Sequence, residues 1–406
     1  MKRKHKVWGA FLALVLVVSF TIASCTTKEE KVKPEVIRLA MIADMSGPYA
    51  PIVGPAYVSF KDACQYVNED LGGIKGVKIE PVCRDSGGKV DVALSHYMEI
   101  REMEPRPLMM SSTVSGEAEA MHQRLIEDQI PALVVASDAA LYPQGYSFGW
   151  YVAYTDQFGF FVDWLAKNWK KSTRPKVAVL TWDSTYGRAI LTDEAMAYAK
   201  KKVDIVATEV FGLRDMDVST QLVRIRDKKA DWIYTNTAGH GPVVIAKGIR
   251  ELGYKVNLAG GLGLDESCIY VGGKIMEGVY SVYPYTSWSE EEVEGVKLMS
   301  KYYKMNRRKE TDKTLMGYLS WVYVLMARQV IGEIVDEAGW GGVNGPAIKA
   351  KIENLKDFRA KGLCYFSYTP KKRTPTKARI VQIKGGKMVS VTGWSDAPDL
   401  LPTKYR

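Results

Sequence analysis

Apolar and polar positions alternate in a regular order from residue 36 onwards. Short runs rich in β-branched residues predict buried strands, and the longer amphipathic stretches between them predict helices. Such alternation indicates a parallel sheet with helices on both faces. The first series comprises predicted strands at Val36–Ala43, Val77–Cys83, Pro107–Ser111 and Ala132–Val135, with helices at Tyr57–Leu71, Val90–Glu102 and Ser115–Asp128.

A second series of the same kind begins after Tyr154 and ends at Tyr283. It comprises predicted strands at Val177–Thr181, Val203–Phe211, Trp232–Thr235, Asn257–Ala259 and Val279–Tyr283, with helices at Asp156–Trp169, Arg188–Lys201, Ser219–Lys228 and Pro242–Leu252. Because the two series are similar in length, the sequence predicts two α/β lobes.

The pattern changes after Tyr283, where long helical stretches return before a short β tail. Helices are predicted at Glu290–Lys304, Leu315–Ala338 and Pro346–Leu355, and strands at Phe366–Thr369, Ala378–Ile383 and Met388–Val391. The last two strands flank the Lys384–Lys387 turn and predict a hairpin. The apolar stretch from Leu315 is interrupted by Arg328 and Glu333, which favours a long core helix over a membrane span.

The N-terminus has the pattern of an export signal. A basic start precedes the apolar run Val7–Phe20, which is too short to span a bilayer comfortably. Ile22–Cys25 matches the lipoprotein cleavage pattern, in which the thiol of Cys25 is lipidated and becomes the new N-terminus. An ordinary signal peptide with a chance cysteine is the alternative. We therefore expect residues 1–24 to be a signal peptide, residues 25–35 a tether, and the protein to be exported and lipid-anchored at the cell envelope.

Composition excludes several classes of function. The chain is 47% hydrophobic, which supports full cores, and its formal charge is +10. Four of the basic residues precede position 25, so the remainder carries a net charge of +6. No dense basic run with interleaved aromatic residues occurs, so nucleic acid is not an expected partner. The four histidines are scattered and no Cys-x-x-Cys pair occurs, so we expect neither a metal nor another cofactor.

Four cysteines remain once Cys25 is set aside: Cys64, Cys83, Cys268 and Cys364. An exported protein permits disulfides, and four cysteines allow three connectivities. Cys64 lies on the first predicted helix and Cys83 at the end of the second strand, so these two could meet. The alternative is that all four are buried apolar thiols, and the sequence leaves both possibilities open.

Three sequence features, in the order in which they occur along the chain, resemble those of a known family. A Ser46-Gly47-Pro48 loop follows the first strand, the next helix ends in a turn from Asn68 to Gly76 with the pattern Asn-x-x-x-Gly-Gly-Ile-x-Gly, and the second strand closes on Asp85. In these features the chain resembles the periplasmic branched-chain amino acid binding proteins, the solute-binding components of ATP-driven importers. The resemblance continues at lower density to near Phe366.

The resemblance implies the type I periplasmic binding protein fold, an α/β architecture of two doubly wound, Rossmann-like lobes joined by three hinge crossovers. The crossovers are expected near Tyr154, Tyr283 and Cys364. Residues 36–154 with 284–363 would form the first lobe, and residues 155–283 with 364–406 the second. A small ligand would bind in the cleft between them.

In the first lobe, candidate ligand contacts follow three strands, where open α/β sheets bind their ligands. The first loop supplies Tyr49 and Val53. The loop Ser111, Ser112, Thr113 opens a helix, whose free amides and hydroxyls form an anion site, although ordinary N-capping is the alternative. In the family a serine of this loop holds the ligand carboxylate. Ala136, Ser137 and Asp138 follow the next strand, where the family has threonine near Asp138, so this aspartate is either a ligand contact or a helix cap.

In the second lobe, Trp182 and Tyr186 follow a strand and precede a helix, and the resemblance implies that Tyr186 faces the ligand. Two departures from the family pattern affect the ligand. The family's acidic positions, which pair with a ligand ammonium, align with Gly261 and Tyr154. Because a buried ammonium without a partner is costly, we expect a ligand other than a simple aliphatic amino acid.

The sequence therefore predicts a monomeric lipoprotein that captures a small carboxylate- or amide-bearing molecule, with an apolar or aromatic body, for an ABC permease in the cytoplasmic membrane. A branched-chain or other amino acid binder and a ligand sensor for a membrane receptor are alternatives of the same fold. An enzyme is not expected, since no His-Glu-x-x-His or Walker pattern occurs.

Overall fold

The computed structural model of the protein describes residues 33–135 and 145–405. In this part of the chain the protein forms two α/β lobes, each built around its own mostly parallel sheet. The predicted fold class is therefore confirmed. Cys25, which was predicted to carry a lipid, lies outside the described residues.

The first lobe contains a sheet whose apolar strands are covered by helices. Its strands are β1 (Val36–Ala43), β2 (Lys78–Asp85), β3 (Met109–Ser112), β4 (Ala132–Val134) and β5 (Ser147–Gly149), and its helices are α1 (Ala50–Val53), α2 (Pro55–Glu69), α3 (Val90–Arg101) and α4 (Ser115–Asp128). Within the described residues the sheet has five strands, all parallel, in the order β2-β1-β3-β4-β5. All residues of β1 from Leu39 to Ala43 are buried, as expected for a parallel strand covered on both faces.

The second lobe repeats this arrangement and adds an antiparallel edge. Its elements are α5 (Tyr154–Asn168), β6 (Lys176–Trp182), α6 (Thr185–Arg188), α7 (Asp193–Lys200), β7 (Asp204–Phe211), α8 (Ser219–Asp227), β8 (Trp232–Thr235), α9 (His240–Glu251), β9 (Asn257–Gly260), α10 (Glu266–Gly272) and β10 (Tyr280–Tyr283). Strands run parallel in the order β10-β9-β8-β6-β7.

The remainder of the chain returns to the first lobe and then completes the second sheet. Its elements are α11 (Glu294–Met305), α12 (Leu315–Ala338), α13 (Gly345–Glu353), β11 (Lys377–Lys384), β12 (Lys387–Ser390) and β13 (Ser395–Asp396). β11 joins β10 antiparallel and forms the predicted hairpin with β12. The hairpin turn needs glycine, because both Gly385 and Gly386 have positive φ angles, 59° and 70°.

The predicted core helix is α12, which packs against α2 in the first lobe. Ser320 donates a hydrogen bond to the carbonyl of Ala56 at 2.8 Å, and Tyr323 donates to the carbonyl of Ala40 at 3.2 Å. Over residues 33–135 and 145–405, no helix has both the length and the apolar character that crossing a membrane requires.

Two predicted elements differ from the structure. The helix expected at Arg188–Lys201 begins five residues later, as α7 at Asp193, because the hydroxyl of Thr192 accepts from the amide of Ala195 and caps the helix there. The strand expected at Phe366–Thr369 was wrong, since this segment makes only one isolated bridge, between Phe358 and Phe366. The alternation of apolar residues there reflects burial in the first lobe.

The four cysteines in the described part of the chain are free thiols. Cys64, Cys268 and Cys364 are buried, and Cys83 is partly buried. Burial raises the pKa of the Cys83 thiol to about 12, so the thiolate is not populated near neutral pH. The thiols therefore act as packing groups, and the possible Cys64–Cys83 disulfide is not formed.

The segment from residue 369 to 376 connects the lobes, and two neighbouring cations fix it to opposite sides. Lys372 forms ion pairs with Asp156 of α5 and, at 2.8 Å, with Asp399. Arg373 is fully buried, lies 4.6 Å from the ring centroid of Phe148 and pairs with Glu353 of α13. One residue therefore anchors the segment to the second lobe and the next anchors it to the first.

We expect the Glu353→Gln substitution to lower the free energy of unfolding by about 3 kcal/mol, because it removes the charge that faces a buried guanidinium. Urea-induced unfolding measures this loss. The matched control is Glu337→Gln, which removes an exposed partner of Lys351 and should leave the stability nearly unchanged. Equal effects of the two substitutions would contradict the anchoring role of Glu353.

Candidate ligand-binding cleft

A cavity of about 330 Å³ lies between the two lobes, at the carboxyl ends of the parallel strands. This is the edge at which open α/β sheets bind ligands. Residues of both lobes and of the first helical turn of α12 form its wall. The lining residues are Tyr49, Ile52, Val53, Gly88, Val90, Thr113, Val114, Ser115, Gly116, Val135, Tyr151, Tyr154, Trp182, Ser184, Thr185, Tyr186, Ala238, Leu262, Gly263, Asp265, Leu315 and Met316.

The two lobes contact each other across this cavity. Tyr49 of the first lobe meets Trp182 of the second, edge to face, with ring centroids 6.4 Å apart. A Cβ atom added to Gly239 would fall 2.6 Å from Cγ1 of Ile52, so the opposite walls are already in close packing. The lobes are therefore closed on each other in this structure.

Five aromatic side chains line the cavity. The rings of Tyr154 and Tyr186 meet edge to face at 4.9 Å, and Tyr186 lies 6.2 Å from Trp182. The hydroxyls of Tyr151 and Tyr154 are hydrogen-bonded at 2.6 Å. Together with Tyr49, these rings form an apolar surface that suits a flat or branched hydrocarbon body.

The position of Tyr186 depends on its neighbours in the chain and in space. Ser184 caps the short helix α6 by accepting from the amide of Gly187, which places Tyr186 one turn above the end of β6. The hydroxyl of Tyr186 donates to the carbonyl of Thr237 at 3.3 Å. A Cβ atom on Gly263 would lie 2.4 Å from this hydroxyl, so only glycine at 263 admits the tyrosine here.

The polar end of the cavity is the N-terminus of α4. The side chain of the N-cap residue Val114 accepts no hydrogen bond from the helix. The first backbone amides of α4 also have no carbonyl acceptor within the helix. The hydroxyl of Thr113 is buried and has no hydrogen-bond partner among the described residues, and the same holds for the indole N–H of Trp182. Buried polar groups without partners are costly, so these groups are suited to a polar ligand atom.

Glu117 lies in the first turn of α4, behind this polar end. Burial, together with the negative charges of Asp44 and Asp85, raises the pKa of its carboxyl to about 7. The side chain is therefore neutral below pH 7 and gains its charge as the pH rises further.

Asp265 is the one charged side chain among the described lining residues. Oδ1 accepts from the amide of Ser267 at 3.1 Å, and Oδ2 accepts from the amide of Leu315 at 2.7 Å. The carboxylate thus caps α10 in the second lobe and the start of α12 in the first. Burial raises its pKa.

Six of the residues predicted from the sequence line the cavity: Tyr49, Val53, Thr113, Tyr154, Trp182 and Tyr186. Three others do not. Ser111 and Ser112 are buried within β3, where Ser111 donates to the carbonyl of Ala40 at 3.5 Å. Gly261 lies behind the wall, and a Cβ atom there would fall 2.8 Å from Oε1 of Gln157, so a larger side chain would require Gln157 to move. Ala136, Ser137 and Asp138 lie outside the described residues.

Several lining residues were not predicted from the sequence. Leu315 and Met316 reach the cavity only because α12 begins at the base of the cleft, more than 200 residues after the first-lobe loops. Ser184 and Thr185 could have been found, since they stand beside Trp182 in a strand-to-helix loop. No local signal marks Leu262 or Leu315 as cavity residues.

The sequence and the fold both match known proteins. The model of the periplasmic binding protein family matches residues 36–387, which is most of the chain. A branched-chain amino acid ABC transporter structure from Thermus thermophilus, with bound valine, has a TM-score of 0.82 at 20% identity, covering 91% of this chain and 98% of that one. No curated protein is a significant match by sequence.

Two further structures have the same fold. An ABC transporter substrate binding protein from Aeropyrum pernix has a TM-score of 0.77 at 18% identity, covering 92% of this chain and 99% of that one. A leucine binding protein from Thermotoga maritima has a TM-score of 0.73 at 18% identity, covering 89% and 99%. At these identities the likeness concerns the fold alone. The family match and the fold agree with the resemblance seen in the sequence, and the chain belongs to the periplasmic binding protein family, whose members bind solutes outside the cytoplasm.

Proposed function

We propose that the protein captures a small carboxylate with an apolar or aromatic body between its lobes and delivers it to an ABC importer. The observation that carries the proposal is the pairing of two features in one enclosed cavity. Unpartnered donors at the N-terminus of α4 lie at one end, and five aromatic rings surround the rest.

The polar end favours an anion. The amides of a helix N-terminus and the helix dipole stabilise negative charge, and the free hydroxyl of Thr113 adds a donor at the same place. A carboxylate accepts several hydrogen bonds at once, so it satisfies these donors better than a neutral group does.

The size and lining of the cavity support a compact apolar body. A volume of about 330 Å³ lies near the lower end of the usual range for ligand pockets, about 300–1,000 Å³. The rings of Tyr154, Trp182 and Tyr186 offer both edges and faces to such a body.

A branched-chain amino acid is the second candidate ligand. The similar Thermus thermophilus structure contains valine, and Asp265 provides a carboxylate in the wall that an ammonium could approach. Against this, both oxygens of Asp265 already accept from backbone amides, and Gly261 supplies no carboxylate at the position where the family has an acid. A carboxylate that has no ammonium group is therefore the preferred candidate ligand.

Closure of the lobes is the mechanism of capture. Both lobes contribute to the wall, so a bound ligand stabilises the closed form by the difference between its affinities for the two states. The importer would recognise the closed surface, and Cys25 would hold the protein at the membrane by lipid. No chemical step is part of this function.

A sensor role with a membrane receptor would need the same closure of the lobes. A permease encoded beside the protein would favour transport over sensing.

We expect an aromatic or branched monocarboxylate to stabilise the soluble protein that begins after Cys25. A ligand at a hundredfold its dissociation constant should add about 2.7 kcal/mol to the free energy of unfolding. Thermal unfolding is followed against 3-phenylpropanoate, benzoate, leucine and valine, with small-angle scattering to detect compaction. Stabilisation by leucine and valine alone would support the amino acid alternative, and no response to any small solute would contradict solute binding.

The Thr113→Val substitution separates binding from folding. Removing an unpartnered buried hydroxyl should leave the unliganded protein at least as stable, while carboxylate affinity falls about tenfold because a charge-assisted hydrogen bond is lost. Calorimetric titration measures the affinity. Thr374→Val is the matched control, since Thr374 is also buried without a partner for its hydroxyl but lies outside the cavity. A loss of affinity in the control equal to that in Thr113→Val would argue against a ligand contact.

The affinity for a carboxylate should fall as the pH rises through about 7, because Glu117 then becomes charged beside the bound anion. The expected change between pH 6 and pH 8 is about tenfold. Glu117→Gln should flatten this profile. It should also raise the free energy of unfolding at pH 8. The pKa of Glu117 is higher in the folded state than the ordinary value of 4.5, so the folded state loses stability as the pH rises from 4.5 to about 7. Glu127→Gln, on the exposed part of α4, is the control. A profile unchanged by Glu117→Gln would exclude this role.

A further inference from the structure

A second cavity, the mouth cavity, lies next to the first, between loops of the two lobes. Its volume is about 610 Å³, and it is lined by two first-lobe loops, residues 46–48 and 85–89, by Val92 of α3, and by Arg214, which follows β7 in the second lobe. Gly88 lines both cavities, so the two spaces share a wall beside the N-terminus of α4.

Two cations face this mouth from opposite lobes, Lys89 and Arg214. Neither forms an ion pair or a side-chain hydrogen bond within the described part of the chain, although most other arginines there do. Both side chains are exposed and retain their full hydrogen-bonding capacity.

The acids that surround these cations are committed to the backbone of their own loops. Asp85 accepts from the amides of Met45 at 2.8 Å and Gly87 at 2.9 Å. Asp215, next to Arg214, accepts from the amide of Gly212 at 2.6 Å. Local carboxylates therefore shape the loops that present the cations and do not pair with them.

We propose that the mouth cavity binds a second anionic group of the ligand, so that the preferred ligand is a dicarboxylate with an apolar body. The inference rests on the proposed function, which places the first carboxylate at the N-terminus of α4. The second carboxylate would lie past Gly88, between Lys89 and Arg214. A second anion in this place would also favour closure, because the two cations belong to different lobes.

The test compares two probes that differ by one carboxymethyl group, 3-phenylpropanoate and benzylsuccinate, by calorimetric titration of the soluble protein. We expect benzylsuccinate to bind about tenfold more tightly at low ionic strength, the sum of two partly exposed charge pairs. The preference should shrink as salt is raised, since exposed charges are screened.

Lys89→Ala and Arg214→Ala should each reduce the preference for the diacid to about threefold or less, and the double variant should abolish it, with the affinity for 3-phenylpropanoate unchanged. The matched controls are Lys297→Ala on α11 and Arg226→Ala on α8, which are exposed and line neither cavity. Each should keep the full preference.

Equal affinities for the two probes would overturn the inference while leaving the proposed function intact. A preference that survives in the double variant would overturn it as well, because another group would then hold the second carboxylate. Failure of both probes to bind would contradict the proposed function and the inference together.

Discussion

Three parts of the chain near its passages between the two sheets are hydrogen-bonded through residues 149 and 150, and the rest of the structure depends on this contact. Tyr285, which follows β10, donates to the carbonyl of Trp150, and Tyr368, which directly precedes the 369–376 segment, donates to the carbonyl of Gly149 at 2.8 Å. The amide of Gly149 in turn donates to the carbonyl of Arg373 at 2.7 Å. The connections between the lobes are therefore joined to one another through residues 149 and 150.

Two lining residues of the cavity lie directly after this contact in the chain. Tyr151 and Tyr154 follow Trp150, and their hydroxyls are hydrogen-bonded to each other. Asp265 of the second lobe accepts from the amide of Leu315 at the start of α12, which packs in the first lobe. The polar end at α4 and the ring of Trp182 belong to different lobes, so a ligand between them contacts both lobes only in the closed form.

The charged groups differ between the interior of the cleft and its mouth. In the interior, both oxygens of Asp265 accept hydrogen bonds from backbone amides. The carboxyl of Glu117 is neutral below about pH 7, so little net negative charge opposes an anion there. At the mouth, Lys89 and Arg214 remain unpaired among the described residues. For the proposed dicarboxylate ligand, the buried donors would bind one carboxylate on contact, and the exposed cations would attract the other.

The sequence by itself determined most of the alternation of strands and helices, the two lobes and the loops after β1, β3 and β6, because these features follow from local periodicity and from turn chemistry. It did not predict β5 or α10. Four of its candidate residues in these loops, Tyr49, Thr113, Trp182 and Tyr186, line the cavity. Only the tertiary structure decided that Ser111 and Gly261 lie behind the wall, that Leu315 reaches the cavity, and that Arg214 and Lys89 line one cavity. The physical reason is that local pattern fixes which residues stand at a strand end, whereas lobe packing fixes which of them point into shared space and what faces them from distant parts of the chain.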